Sequence, residues 1–310
     1  MKRLTLLAAL LTVGSLSIAV AAYQQQPAAG DKPRVVEVEK LKDNLFVLRG
    51  GGGNSAVFVT AKGVVVVDTK NPGWGAPLIA KIRELTDKPI TTIINTHTHG
   101  DHVSGNVEFE PNVDVVVHAN AADSMKRMQG PFTAADAPKT PTIFEQNGGR
   151  GLPKRTFKDT MTIGSGNDRI NLHYFGRGHT NGDAWVIFPA LRVMHAGDIF
   201  SGKNIPILDP NNGGSGLDMP DTLMKAATAT AKDVDTIITG HSTQMTIADL
   251  REYSEFNRDF LNAVRAGKKA GKTADEIVAG WTIPAKYTGY AAPAADRVKS
   301  NVTLTFGEVK

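Results

Sequence analysis

Short apolar blocks alternate with polar, glycine-rich segments along most of the chain, and this pattern predicts strands joined by turns and helices. Runs of β-branched residues bounded by glycine or polar residues are typical of strands. The predicted strands cover 35–41, 45–50, 56–60, 64–69, 90–95, 113–119, 160–163, 169–175, 184–189, 192–198 and 235–240.

Helical periodicity appears between these strands and again in the last quarter of the chain. The predicted helices cover 77–86, 121–129, 220–232, 246–266, 273–279 and 291–301. Asn120 and Thr246 are predicted N-caps, and Gly267 is the predicted end of the fourth helix. Residues 130–158, rich in Pro, Gly and Thr, are predicted to be mostly loop. Two sets of strands, each followed by helices, favour two β-sheets packed face to face with helices outside.

The N-terminus has the pattern of a secretory signal peptide. Lys2 and Arg3 precede an apolar run over 4–20, and small residues follow it. We therefore predict a signal peptide at 1–22, a linker at 23–32 and a domain at 33–310 that includes the C-terminal helices. A periplasmic or secreted protein is expected, with no membrane association after cleavage; an uncleaved anchor is the alternative.

Charge and cysteine content narrow the partners and ligands. The 35 basic and 31 acidic side chains leave a net charge of +4, which falls by two if Lys2 and Arg3 are removed. Without a basic run, no nucleic-acid partner is expected. The chain has no cysteine, so a metal site would use imidazole and carboxylate ligands, which suit zinc, iron or manganese.

The segment NTHTHGDH ends a predicted strand with four potential metal ligands. His97 and His99 are two residues apart, so in extended chain they project to the same side and can share one ion. Asp101 and His102 follow Gly100, where the chain can turn, and suit a second ion or the opposite wall. Two metals roughly 3.5–4 Å apart would use all four side chains.

Other histidines and an aspartate also follow predicted strands, and glycine neighbours three of these four. They are His118, His179, Asp198 and His241. Glycine is expected where backbone approaches a crowded site. His173 and His195 lie inside predicted strands and are assigned structural roles.

HTHGDH, followed in order by GHT, AGD and GH, resembles the motif series of the metallo-β-lactamase superfamily. The resemblance implies an α+β protein with an αβ/βα four-layer sandwich, in which two mixed sheets pack face to face with helices outside. It also implies that Asp198 bridges two metals, whereas His118 has no counterpart and is assigned a structural role. The implied ligands are His97, His99 and His179 for the first metal, and Asp101, His102 and His241 for the second.

The resemblance implies a hydrolase with two zinc ions per chain, with iron or manganese as alternatives. A metal-bridging hydroxide would attack the carbonyl of an ester, lactone, thioester or lactam, and Asp101 would orient it. A residual positive charge at such a site favours a small-molecule substrate that bears a carboxylate. Lys203 is a candidate contact for that carboxylate or, alternatively, a solvated loop residue. Asn204 and Asn212 are secondary candidates for substrate contacts.

Three alternatives remain open. The segments GVVVVDT and GRGHTNGDAWVIFP resemble subclass B1 β-lactamases, but those enzymes have Cys where Asp198 stands and a residue other than His where His102 stands. Asp198 therefore favours the thioesterase and lactonase branch over a true β-lactamase.

The second alternative is a mono-iron oxidoreductase of the persulfide dioxygenase type, which would need only two histidines and one carboxylate. His97, His179 and Asp198 would suffice, and the additional histidines favour a two-metal site instead. The third is a non-catalytic zinc-binding protein, against which the open glycine-rich loops argue.

Overall fold

The computed structural model describes residues 34–310 except 132 and 135, so the predicted signal peptide and linker lie outside the described residues. The described strands are β1 (Glu37–Lys42), β2 (Leu45–Arg49), β3 (Ser55–Val59), β4 (Val64–Val67), β5 (Ile90–Ile94), β6 (Asp114–His118), β7 (Arg155–Phe157), β8 (Thr160–Ile163), β9 (Ile170–His173), β10 (Trp185–Phe188), β11 (Val193–Gly197) and β12 (Thr236–Thr239). The α-helices are α1 (Gly75–Leu85), α2 (Gly100–Val103), α3 (Ala119–Met125), α4 (Ile143–Gln146), α5 (Met219–Thr230), α6 (Ile247–Lys269), α7 (Ala274–Gly280) and α8 (Ala295–Glu308).

The strands form two mixed sheets. The first contains β1 to β7 in chain order, antiparallel from β1 to β4 and parallel from β4 to β7. The second has the order β12-β11-β10-β9-β8, in which only the β11–β12 pair is parallel.

The two sheets pack face to face, and helices cover their outer faces. Strand β4 shows how sequence specifies these layers. Val65 and Val67 belong to the cluster shared with the second sheet, whereas Val64 and Val66 pack with α1 and α3 on the outer face, as the two-residue repeat of a strand requires. The outer face of the second sheet packs against α5 and α6. The predicted four-layer sandwich is confirmed.

Several predicted helix boundaries were wrong. The N-cap of α3 is His118, whose Nδ1 accepts a hydrogen bond from the backbone N–H of Asn120, and the helix ends at Met125 instead of 129. Gly267 lies inside α6 and does not end it. A Cβ there would lie 2.5 Å from Cγ1 of Ile277, so this glycine permits close packing of α7.

Other predictions were partly correct. The N-cap predicted at Thr246 is present, and it forms a capping box with Asp249. The segment 130–158 contains α4 and β7 in addition to loop. The last helix begins and ends later than predicted, over Ala295–Glu308. Among the residues the structure describes, no helix has the length and apolar character to cross a membrane.

Candidate metal centre

Polar side chains meet at one edge of the sandwich because several strands end there. Asp68 follows β4, His97 lies just beyond β5, Asp198 follows β11 and His241 lies just beyond β12. Carboxyl ends of parallel strands share an edge of a sheet, which is where open α/β folds place their sites. His179 reaches the same place from the loop between β9 and β10.

The structure brings together all seven predicted metal ligands as two groups. Within each group the ligand-capable atoms lie within 4.8 Å of one another. The first group is His97, His99, His179 and Asp198, and the second group is Asp101, His102 and His241.

Asp198 lies between the two groups. Its Oδ1 is 3.2 Å from Nε2 of His102, and its Oδ2 is 3.1 Å from Nε2 of His241. The same Oδ2 is 4.0 Å from Nε2 of His179 in the first group. One carboxylate therefore faces ligands of both groups, which is the position a bridging ligand requires.

Hydrogen bonds orient the imidazoles of the first group. Nε2 of His99 donates to Asp209 at 2.7 Å, and Nδ1 of His179 donates to the carbonyl of Ile207 at 2.6 Å. The free nitrogens, Nδ1 of His99 and Nε2 of His179, then face each other at 3.0 Å. Nε2 of His97 is buried without a hydrogen-bond partner. A buried, unpaired imidazole nitrogen beside two preset ones fits a bound divalent metal.

In the second group, Asp68 orients His102. Its Oδ2 accepts from Nδ1 of His102 at 2.7 Å and from Oγ1 of Thr96 at 2.7 Å, and its Oδ1 accepts from the Thr96 N–H at 2.8 Å. The carboxylate keeps a proton on Nδ1 and leaves Nε2 as the ligand atom. Asp68 has a φ of 61°, a left-handed conformation that is uncommon outside glycine and is concentrated at functional sites.

Sequence reasoning missed Asp68 and Asp209 as supporting residues. Asp68 follows four valines at a strand end, the same signal that identified His97 and Asp198, so it was detectable. Asp209 lies in a long loop without periodicity, and its contact with His99 joins residues 110 positions apart. No local signal could have found it.

The imidazoles of the site differ in the direction in which their pKa is shifted. Burial and the neighbouring imidazoles hold the pKa of His97 well below its usual range, and burial followed by His99 lowers that of His179 to about 4. Burial opposes protonation of His241, but hydrogen bonds to Asp101 and Asp198 raise its pKa to about 9.

The carboxylates show the complementary shift. Burial would raise the pKa of Asp101, but His102 and His241 lower it to about 2. The same opposition holds the pKa of Asp198 well below its usual range, with His102 as the main lowering influence. Ionised carboxylates and neutral imidazoles are the forms that bind metal. Burial opposes the protonation of His102, but Asp198 and Asp68 raise its pKa well above its usual range. His102 and His241 would therefore each release a proton when metal binds.

Two glycines allow the chain to approach the ligands closely. A Cβ on Gly53 would lie 2.1 Å from Cε1 of His102, and one on Gly240 would lie 1.9 Å from Oδ1 of Asp198. Any side chain at these positions would displace the ligand.

A cleft of about 390 Å³ opens onto both groups. Its walls include Asp101, His241, Ser201, Asn204 and, from α8, Arg297. His241 is the most accessible ligand, with 39% of its side chain exposed. The cleft is large enough for a small organic substrate.

Of the three predicted substrate contacts, the structure places only Asn204 in the cleft wall. The ammonium of Lys203 lies 3.1 Å from Asp249 and 3.0 Å from Glu252 at the start of α6. Asn212 is buried, and its Nδ2 donates to the carbonyl of Gln129 and to Asp209. Arg297, which sequence reasoning missed, is the one arginine or lysine among the described cleft residues.

The remaining histidines lie away from both groups. Nε2 of His118 donates to the carbonyl of Lys158, and its ring stacks on Tyr174. His173 lies in β9. His195 lies in β11, where Nε2 donates to the carbonyl of Asn54. Their contacts agree with the structural roles predicted for them.

Comparison with known proteins places these features in a family. The model of the metallo-beta-lactamase superfamily matches residues 48–241. A metallo-beta-lactamase type 2 from Elizabethkingia meningoseptica is 28% identical over 187 residues, which cover 56% of this chain and 65% of that protein. A hydroxyacylglutathione hydrolase from Nostoc punctiforme is 26% identical over 173 residues, which cover 56% of this chain and 54% of that protein. The chain thus spans less than two thirds of these relatives.

Solved structures share the fold at lower identity. The sec-alkylsulfatase Pisa1 from Pseudomonas sp. superposes with a TM-score of 0.66 at 15% identity, covering 88% of this chain and 50% of that one. A metallo-beta-lactamase from Pontibacter korlensis gives 0.58 at 17% identity, covering 72% of this chain and 99% of that one.

Proposed function

Because the chain belongs to the metallo-beta-lactamase superfamily, we propose that it is a hydrolase with two zinc ions, one in each ligand group. The position of Asp198 carries this proposal, since its two oxygens contact ligands of the second group and face the first. A single metal in the first group would not use the second group, although Asp68 orients His102 there.

Zinc ions held there would supply a hydroxide nucleophile near neutral pH and polarise the bond to be cleaved. The residues of the protein would orient the attacking water. Asp101 lines the cleft with 30% of its side chain exposed and has its Oδ2 3.2 Å from Nε2 of His241. Its ionised carboxylate, with a pKa of about 2, can therefore accept a hydrogen bond from the attacking water and orient that water toward the substrate.

The proposed substrate is a small molecule with an ester, lactone, thioester or lactam carbonyl. Water adds to the carbonyl carbon, the bond to oxygen, sulfur or nitrogen breaks, and the leaving group takes up a proton. The names of the two relatives, a β-lactamase and a thioester hydrolase, support this range.

Elemental analysis of protein purified without added metal tests the proposal. About two zinc per chain is expected, and His241→Ala should reduce this to about one. His173→Ala is a matched control, because His173 lies in β9 outside both groups. One iron per chain, or an unchanged zinc content in His241→Ala, would contradict the two-zinc assignment.

β-Lactam hydrolysis is the second candidate activity, favoured by the 28% identity to a metallo-beta-lactamase type 2. A chromogenic cephalosporin and a thioester, assayed with the same zinc-loaded preparation, separate the two. Turnover of the cephalosporin alone would establish the β-lactamase.

We also propose that the chain is exported and cleaved near residue 22, on the basis of the charged and apolar pattern of its first residues. The intact mass of protein recovered from periplasm tests this. A mass that includes residues 1–22 would contradict it.

A further inference from the structure

The walls of the cleft contain one group that metal binding does not explain. Arg297 is half-buried in the first turn of α8, and its Nη1 makes a long hydrogen bond of 3.4 Å to the carbonyl of Ile205. Among the described residues, no carboxylate pairs with its guanidinium. The guanidinium thus keeps most of its N–H donors without a partner among the described residues, and Arg297 lines the cleft together with Asp101 and His241.

Arg297 differs from Lys203 in the pairing of its positive charge. Lys203 lies between Asp249 and Glu252, which raise its pKa through hydrogen bonds and hold its ammonium at the α6 side. Two carboxylates already neutralise it. Arg297 is consequently the arginine or lysine of the described cleft wall that no carboxylate neutralises, and it is available to a negatively charged ligand.

Helix α8, which carries Arg297, packs against the loop that supports the metal centre. Val298 and Val302, on the same helix, pack against Ile205 in one buried cluster. Asn301 donates to the carbonyl of Pro206 at 2.8 Å and accepts from the N–H of Leu208 at 3.4 Å.

The same loop orients a ligand of the first group. The carbonyl of Ile207, between the two residues that Asn301 contacts, accepts the hydrogen bond from His179. Helix α8 therefore fixes the backbone position of Arg297 relative to the metal ligands.

A neutral donor lies in the wall of the same cleft as Arg297. Oγ of Ser201 donates to Oδ1 of Asn204 at 3.3 Å, so the amide Nδ2 of Asn204 is directed elsewhere and remains available as a donor. Both residues line the cleft with Arg297. A planar guanidinium and an amide donor in the wall of one cleft suit a ligand that presents two oxygens.

We propose that Arg297, with Asn204, forms a subsite for an anionic oxygen-bearing group of the substrate, a carboxylate or a sulfate. This inference rests on the proposed function and narrows the range of substrates. The anionic group and the bond that is cleaved would both have to lie in the same cleft. The C-terminal helix α8 lies beyond the matched residues 48–241. Under this proposal, that helix contributes to the selection of substrate.

Isothermal titration of zinc-loaded protein with glutarate and with sulfate tests the subsite directly. Arg297→Gln should weaken binding roughly 10- to 100-fold, the usual worth of a charge-assisted pair. Arg297→Lys, which keeps the charge but loses the planar fork, should fall between. Lys299→Gln is the matched control, since this lysine is on the same helix but 65% exposed and paired with Asp275. Binding of glutarate alone identifies a carboxylate subsite, and binding of sulfate alone a sulfate subsite.

Equal affinities in the wild type and Arg297→Gln would overturn the proposal, as would the absence of binding of either anion by the wild type. Hydrolysis of a p-nitrophenyl ester with a terminal carboxylate, compared with its neutral methyl-ester analogue, separates this outcome from failure of the proposed function. If the subsite is correct, Arg297→Gln raises KM for the anionic ester and leaves the neutral one unchanged. Turnover of both esters with no effect of the substitution would retain the hydrolase and reject the subsite. Arg297-dependent anion binding without turnover of any carbonyl substrate would retain the subsite and reject the hydrolase.

Discussion

Asp68→Asn should weaken the second metal site specifically, because it removes the charge that orients His102 while it preserves shape. Oδ1 of Asp68 accepts from a backbone N–H of Thr96, so an asparagine must keep its carbonyl oxygen there. Its amide N–H₂ then faces Nδ1 of His102, which lies 2.7 Å from Oδ2 in the wild type. A donor at that position favours the tautomer with the proton on Nε2, the atom that must bind metal.

The magnitude follows from the role of such supporting carboxylates. Their loss typically reduces metal affinity by about 10- to 100-fold, or about 1.4 to 2.7 kcal/mol. Zinc titration against a chromophoric competing chelator should resolve one unchanged site and one weakened site. Asp183→Asn is the control, because Asp183 is also buried but accepts its hydrogen bonds from Thr180. Affinities within about twofold of the wild type at both sites, or an equal loss at both, would refute the role assigned to Asp68.

Three further outcomes are expected. Gly240→Ala should displace the Asp198 carboxylate and lower the zinc content, because the new Cβ would lie 1.9 Å from Oδ1. Gly280→Ala is the control, since a Cβ at Gly280 would enter open space and should leave the zinc content unchanged. Equal zinc contents in the two variants would argue against a bridging Asp198. Removal of metal with a chelator should lower the melting temperature measured by calorimetry, since each ion at 100 times its Kd stabilises the fold by about 2.7 kcal/mol; an unchanged melting temperature would contradict specific binding. Burial lowers the pKa of Lys70 to about 7, so the unfolded chain binds more protons between about pH 7 and 10.4. Over that window the free energy of unfolding should rise with pH by up to about 1.4 kcal/mol per unit from this group, and Lys70→Met should lose that rise in urea titrations; parallel pH dependence in both proteins would show that Lys70 stays charged.

Sequence alone indicated the layers of the fold, and the resemblance of its motifs to those of a known family identified the seven candidate ligands. The strand repeat assigns successive valines of β4 to opposite faces, and polar residues at strand ends mark the edge where a site can form. These signals are local: they depend on the spacing of residues within a few positions, as for His97 and His99, or on a side chain directly after an apolar run, as for Asp198.

Tertiary structure alone decided which residues support the candidate ligands and which arginine lines the cleft. Asp209 reaches His99 across 110 residues, and Arg297 enters the cleft from a helix nearly 200 residues after His97. Lys203 had a suitable position in the sequence, but it is neutralised by Asp249 and Glu252 after the chain folds. A side chain's charge is local information, whereas its partner depends on which distant segment packs beside it, and that is decided only when the layers assemble.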